Sequence, residues 1–187
     1  HGLQQDFLHR IVGLGDPAQA LRIRRFVMAA QSYLIWIVLA CYAYFRGFTS
    51  IPLATLCFWL TLVVLANIVQ YAVFRLGYNK RFKDPSLTVP QMMVGLFFGL
   101  VVAYYADAAR GAMLLVFIAI FIFGMFRLKV RQFLCLTAFV VSMYAGIIIA
   151  MVRFKPGQFD LTVELLSLTV LGAVLVWFSF IGGYINR

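Results

Sequence analysis

Tyr104, Tyr105, Asp107 and Arg110 crowd one short connection between apolar runs, and Glu164 stands in the first turn of the last such run. Opposite charges beside tyrosines at one depth can hold the polar head of an amphipathic ligand while neighbouring apolar side chains receive its tail. The same residues fit an aromatic belt at a membrane boundary with acid–base pairs that merely neutralise one another, and both readings stay open. A second set places amides inside apolar runs: Gln31 with Ser32, and Asn67 with Gln70 on one helical face at i, i+3. Such amides act either as hydrogen-bonding glue between antiparallel neighbours or as ligand contacts. The sequence has no HExxH, GxSxG or Walker A loop, no paired intramembrane aspartates, and no histidine within an apolar run. No catalytic residue and no metal or haem ligand set is therefore expected.

The elements that position these side chains belong in lipid. Of 187 residues 64% are hydrophobic and 12% charged, with mean hydropathy +0.97, whereas about 25% charged is usual in soluble domains. A helix needs about 20 apolar residues to cross roughly 30 Å of hydrocarbon, pairing every backbone polar group within itself. Six stretches meet that need: Phe26–Phe45, Ile51–Phe74, Leu87–Ala106, Ala108–Phe126, Phe133–Val152 and Leu161–Gly182. The fold predicted is an all-α membrane protein, a bundle of six transmembrane helices. The fourth span is the shortest, because Arg110 sits in its first turn, and tilt or local thinning must close the gap. Asp16–Pro17 and Asp84–Pro85 both read as helix starts, a carboxylate for orphan N–H groups followed by a proline at the first helical position. Gly95 and Gly99 form a GxxxG pattern that serves tight packing within the bundle or dimerisation.

Counting Lys and Arg on alternate sides of the six spans gives twelve on one side and four (Arg46, Arg110, Arg153, Lys155) on the other. That asymmetry puts both termini in the cytoplasm and accounts for the net charge of +10 without a nucleic-acid partner. Arg22, Arg24 and Arg25 then hold the first helix at the headgroups. From Gln5 to Leu14, Phe7, Leu8, Ile11 and Val12 cluster opposite Gln5, Asp6 and Arg10, as in an interfacial amphipathic helix. Residues 1–25 are thus an interfacial and cytoplasmic segment, 26–183 the six-helix domain, and 184–187 the start of a cytoplasmic continuation. Cys41, Cys57 and Cys135 read as small buried hydrophobes, with a Cys41–Cys57 disulfide conceivable at a shared depth. The chain opens on His1–Gly2 without a methionine, as a trimmed chain would. No span carries a proline or charge near its centre and no repeat is evident, so the broken helices of a transporter are not indicated.

Several stretches together carry a resemblance: DPAQALRIRRFVMAA before the first span, RFKDPSLTVPQM before the third, YYADAARGAMLL and FGMFRL about the fourth, and FSFIGGYINR at the end. From about Asp16 to Arg187 the chain resembles the N-terminal six-helix membrane region of bacterial GGDEF proteins, the membrane-bound diguanylate cyclases. Lys83–Thr88 is its most specific part. The resemblance implies a membrane sensor in the bacterial inner membrane, feeding a cytoplasmic domain that makes cyclic di-GMP from GTP with Mg. This chain has no GGDEF motif, so it is expected to be the non-catalytic regulatory half of a longer protein and to need no cofactor itself. Expected partners are membrane lipid, a small lipophilic or amphipathic ligand and a second copy in a homodimer, with Gly182 and Gly183 as a hinge relaying signal to the output domain. Alternatives are the same module on a histidine kinase or another output domain, or a small membrane transporter, which vesicle uptake of a solute would reveal.

Overall fold

A computed structural model describes residues 17–107, 110–124 and 128–185. All regular structure in these residues is helical: α1 Pro17–Phe45, α2 Leu53–Arg75, α3 Thr88–Tyr105, α4 Arg110–Gly124, α5 Val130–Phe154 and α6 Leu161–Ile185, with a 3₁₀ turn at Tyr78–Arg81. Five of them, all but α4, are long and apolar enough to cross a membrane. The chain is a membrane protein by that measure, and its exteriors agree. Large apolar side chains such as Ile35, Val38, Val69, Ile149, Leu166 and Trp177 are exposed, a surface that water would penalise and lipid accepts. α4 has 15 described helical residues, about 22 Å of rise. The proposed interfacial helix of Gln5–Leu14 and the Asp16 carboxylate lie outside the described residues, the first of which, Pro17, is already helical.

The described chain falls into two compact units. The first takes in α1 up to Tyr42 together with Ala54–Leu87. Its core is Ile23, Phe26 and Phe74, with Val27, Ala30, Tyr71 and Leu87 against them. Beside this apolar contact two amides clasp each other: Gln19 Nε2 donates to Asn79 Oδ1 at 2.6 Å and Asn79 Nδ2 returns a bond to Gln19 Oε1 at 3.1 Å. Gln19 also donates to the Phe74 carbonyl at 2.6 Å, and Asn79 to that of Pro85 at 2.6 Å. Both side chains are buried, and the clasp gives the end of α2 and the following turn the partners that helix ends require. Gly77, at φ 75°, provides the left-handed step by which the chain leaves α2 for the 3₁₀ turn.

The expected helix start at Asp84–Pro85 is displaced. Asp84 Oδ1 instead accepts the Ser86 N–H at 3.0 Å, its carbonyl accepts the Leu87 N–H at 3.1 Å, and Leu87 takes φ 49° before α3 begins at Thr88. The carboxylate closes a tight turn rather than a helix cap. Pro90 then occupies the first turn of α3, where a missing N–H costs nothing.

The second unit holds Ala43–Leu53 and everything described from Thr88 onward. Its four helices close a ring in which α3 meets α4, α4 meets α6, α6 meets α5 and α5 meets α3. The pattern is legible in the buried positions: Met92, Leu96, Leu100 and Ala103 on α3, and Phe133, Leu136, Val140, Tyr144, Ile148 and Met151 on α5, recur every three or four residues. Between α5 and α6 the buried hydroxyls of Thr137 and Ser179 meet at 3.2 Å. Gly99 belongs to this packing: a Cβ there would lie 2.9 Å from Phe117 Cε1 on α4, so this half of the GxxxG pattern works inside the bundle. All three cysteines are free, and only their exposure departs from expectation: Cys57 and Cys135 are exposed and Cys41 half-buried rather than buried.

At the other end of α6 the helix continues unbroken through Gly182 and Gly183 to Ile185. A Cβ on Gly182 would stand 2.6 Å from Cε2 of the fully buried Phe133 ring. Gly182 is therefore a notch for that ring in a continuous helix. Gly182→Ala should lower stability by about 1–3 kcal/mol through overpacking, read as an earlier transition in denaturant titration in bicelles. A glycine that served only as a hinge would give a gain of about 0.5–1 kcal/mol instead.

Candidate functional site

One set of polar residues of the second unit converges at one end of its four-helix ring. Three features of the chain bring them there. Gly47, at φ 71°, ends α1 with paired bonds from its own N–H to the Tyr44 carbonyl (3.0 Å) and from Phe48 N–H to that of Ala43 (2.9 Å), which turns residues 48–52 back. Asp160 caps α6, its Oδ1 accepting the N–H groups of Thr162 at 2.8 Å and Val163 at 3.3 Å. Arg110 opens α4, the helix that follows α3 across the Asp107 connection.

Arg110 is only 4% exposed. Its Nε donates to the Ala103 carbonyl at 2.9 Å, one of the orphan acceptors in the last turn of α3, where a cation also answers the helix dipole. Its Nη1 pairs with Glu164 Oε1 on α6, and its Nη2 stands 3.9 Å from Asp107 Oδ1. The other carboxylate oxygen of Glu164 accepts the Tyr144 hydroxyl at 2.6 Å, so the chain of bonds runs from the connection into the core of α5, where Tyr144 is fully buried. Lys155 closes the outer side: Nζ donates to Asp107 Oδ1 (3.3 Å), the Tyr104 carbonyl (3.3 Å) and Ser50 Oγ (3.2 Å), and lies 4.9 Å and 5.6 Å from the ring centres of Tyr104 and Tyr105. Ser50 N–H donates to Asp107 Oδ2 at 3.0 Å and Thr49 Oγ1 to the Tyr105 carbonyl at 2.7 Å.

Two cations and two carboxylates thus form a neutral set whose polar atoms largely answer one another. All five residues expected here, Tyr104, Tyr105, Asp107, Arg110 and Glu164, are brought together. Exposure falls from the Asp107 side chain at 33% through Lys155 at 14% and Glu164 at 9% to Arg110 at 5%. Asp107 and Lys155 are therefore the members within reach of a solute, while Arg110, Glu164 and Tyr144 tie α3, α4, α5 and α6 together beneath them. Tyr144, Lys155 and Asp160 are the participants that sequence reasoning passed over. A tyrosine deep within a span and an Asp four residues before a Glu at a helix start were the available signals.

The amides of the first unit have a different fate. Gln31 is exposed and Gln70 half-buried. Ser32 Oγ donates to the Ala29 carbonyl at 2.6 Å and Asn67 Nδ2 to that of Val63 at 2.9 Å, so these bonds return to their own helices rather than crossing between them. Asn67 lines an apolar cleft of about 320 Å³ between α1 and α2. Gln31 and Gln70 do not. Among the described residues no group of three or more His, Cys, Asp or Glu is placed to hold a metal ion. Comparison with protein-family models, with curated proteins and with solved structures finds no match for this chain.

Proposed function

We propose that this chain is a membrane-embedded sensory region of the kind attached to bacterial diguanylate cyclases, acting as a six-span homodimeric module in the inner membrane and relaying its state through α6 to a cytoplasmic GGDEF domain. The observation that carries the relay is the course of α6, which places Glu164 of the polar cluster in its first turn and runs as one helix to Ile185. A change at Asp107 or Lys155 shifts the partners of Arg110 and Glu164, and a continuous helix delivers that shift about 30 Å away at 1.5 Å per residue. Only a stimulus with different affinities for two packings of the bundle can send such a signal. The sequence resemblance over Asp16–Arg187 supplies the output, the polar cluster an input, and α6 the connection between them.

In this reading α4 is also a span, the fourth of six, short and tilted, and both ends of the chain face the cytoplasm. Alkaline phosphatase fused after Ser50, Asp107 or Gly157 should be active and after Tyr78 or Leu128 silent; the opposite pattern overturns the orientation. The functional claim is tested by reading the parent gene past the codon for Arg187. A helical linker followed by a GGDEF coding sequence is expected, and an immediate stop codon would contradict the sensor assignment and turn attention to solute transport.

A further inference from the structure

The cleft between α1 and α2 contains a chemical mismatch. Its walls are largely apolar side chains of α1 and α2, among them Phe26, Ala30 and Ile68, with Tyr33, Tyr71 and Asn67. Asn67 Oδ1 is buried and has no hydrogen-bond partner among the described residues. Its own helix cannot supply a donor, because interior backbone N–H groups are already committed to carbonyls one turn back. In lipid there is no water to take that place, and acyl chains have no donor to offer. A buried acceptor left in this condition is unfavourable enough to call for an explanation.

We propose that the cleft binds a lipophilic molecule bearing a hydroxyl group, whose O–H donates to Asn67 Oδ1 while its apolar body lies between α1 and α2. The cleft volume of about 320 Å³ is at the small end of ligand sites, which run from about 300 to 1,000 Å³. The site distinguishes an alcohol from an ether or a hydrocarbon of the same shape. It stands independently of the sensor reading, since it concerns binding alone.

The test uses the whole chain in lipid nanodiscs and a photoreactive probe, a twelve-carbon alcohol with a mid-chain diazirine, beside its methyl ether. Labelling mapped by mass spectrometry should fall on residues 26–37 and 63–71, be competed by dodecanol, and be about tenfold weaker for the ether, the discrimination expected when a buried acceptor loses its donor. Asn67→Leu should bring alcohol labelling down to the level of the ether. Ala30→Phe, which fills the cleft and leaves Asn67 in place, should abolish labelling by both, so the result does not rest on one variant. Equal labelling by alcohol and ether, with Asn67→Leu without effect, would show a groove for lipid chains only and overturn the proposal. Labelling absent from these residues would overturn it as well.

Discussion

A guanidinium taken out of water costs several kcal/mol unless its donors and its charge are both answered. Arg110 is in that position at the end of an apolar bundle, and three elements meet its needs: the Ala103 carbonyl on α3, Asp107 on the connection, and Glu164 on α6. Because each partner lies on a different part of the chain, satisfying one side chain fixes how those parts meet. Tyr144 adds α5 by donating to the remaining oxygen of Glu164. In a membrane this matters more than in water, because apolar faces slide against lipid and against one another with little preference, leaving close packing and polar pairing to define the arrangement. The small-residue contacts at Gly99 and Gly182 supply the close packing.

The first unit applies the same principle with neutral groups. Gln19 and Asn79 answer each other and the carbonyls of Phe74 and Pro85, which anchors the start of α1 to the segment after α2. Farther along α1 and α2 the polar accounting is incomplete at Asn67. One unit therefore has a closed neutral network at its polar end, and the other has a closed clasp and an open acceptor. A site for an added molecule is better sought at the open acceptor, and a device for passing on a small displacement at the network, where α6 takes part.

Much of the helical plan was legible in the residues, because apolar length is a direct physical requirement of lipid. Phe45 ends α1 as read, Leu161 begins α6, and α2, α3 and α5 fall within a few residues of the expected spans. Helix starts were less legible. Asp84 can cap a helix or close a turn, and here it closes a turn whose Pro85 carbonyl accepts from Asn79, six residues earlier. The meeting of Asp107, Arg110 and Glu164 could be read from shared depth, while the roles of Tyr144 and Lys155 could not, since depth says nothing of which face of a helix turns inward. Gly182 shows the same limit: its close approach to the ring of Phe133, far off in sequence, is seen only in the folded packing.

Arg110 and Glu164 act as one unit in holding the bundle, and a double-mutant cycle in bicelles measures that coupling. Arg110→Met and Glu164→Met should each destabilise by about 3–5 kcal/mol, because each leaves an uncompensated buried charge, while the double variant should cost clearly less than the sum. Additive losses, or single variants within about 0.5 kcal/mol of the parent as ordinary surface changes are, would contradict the account.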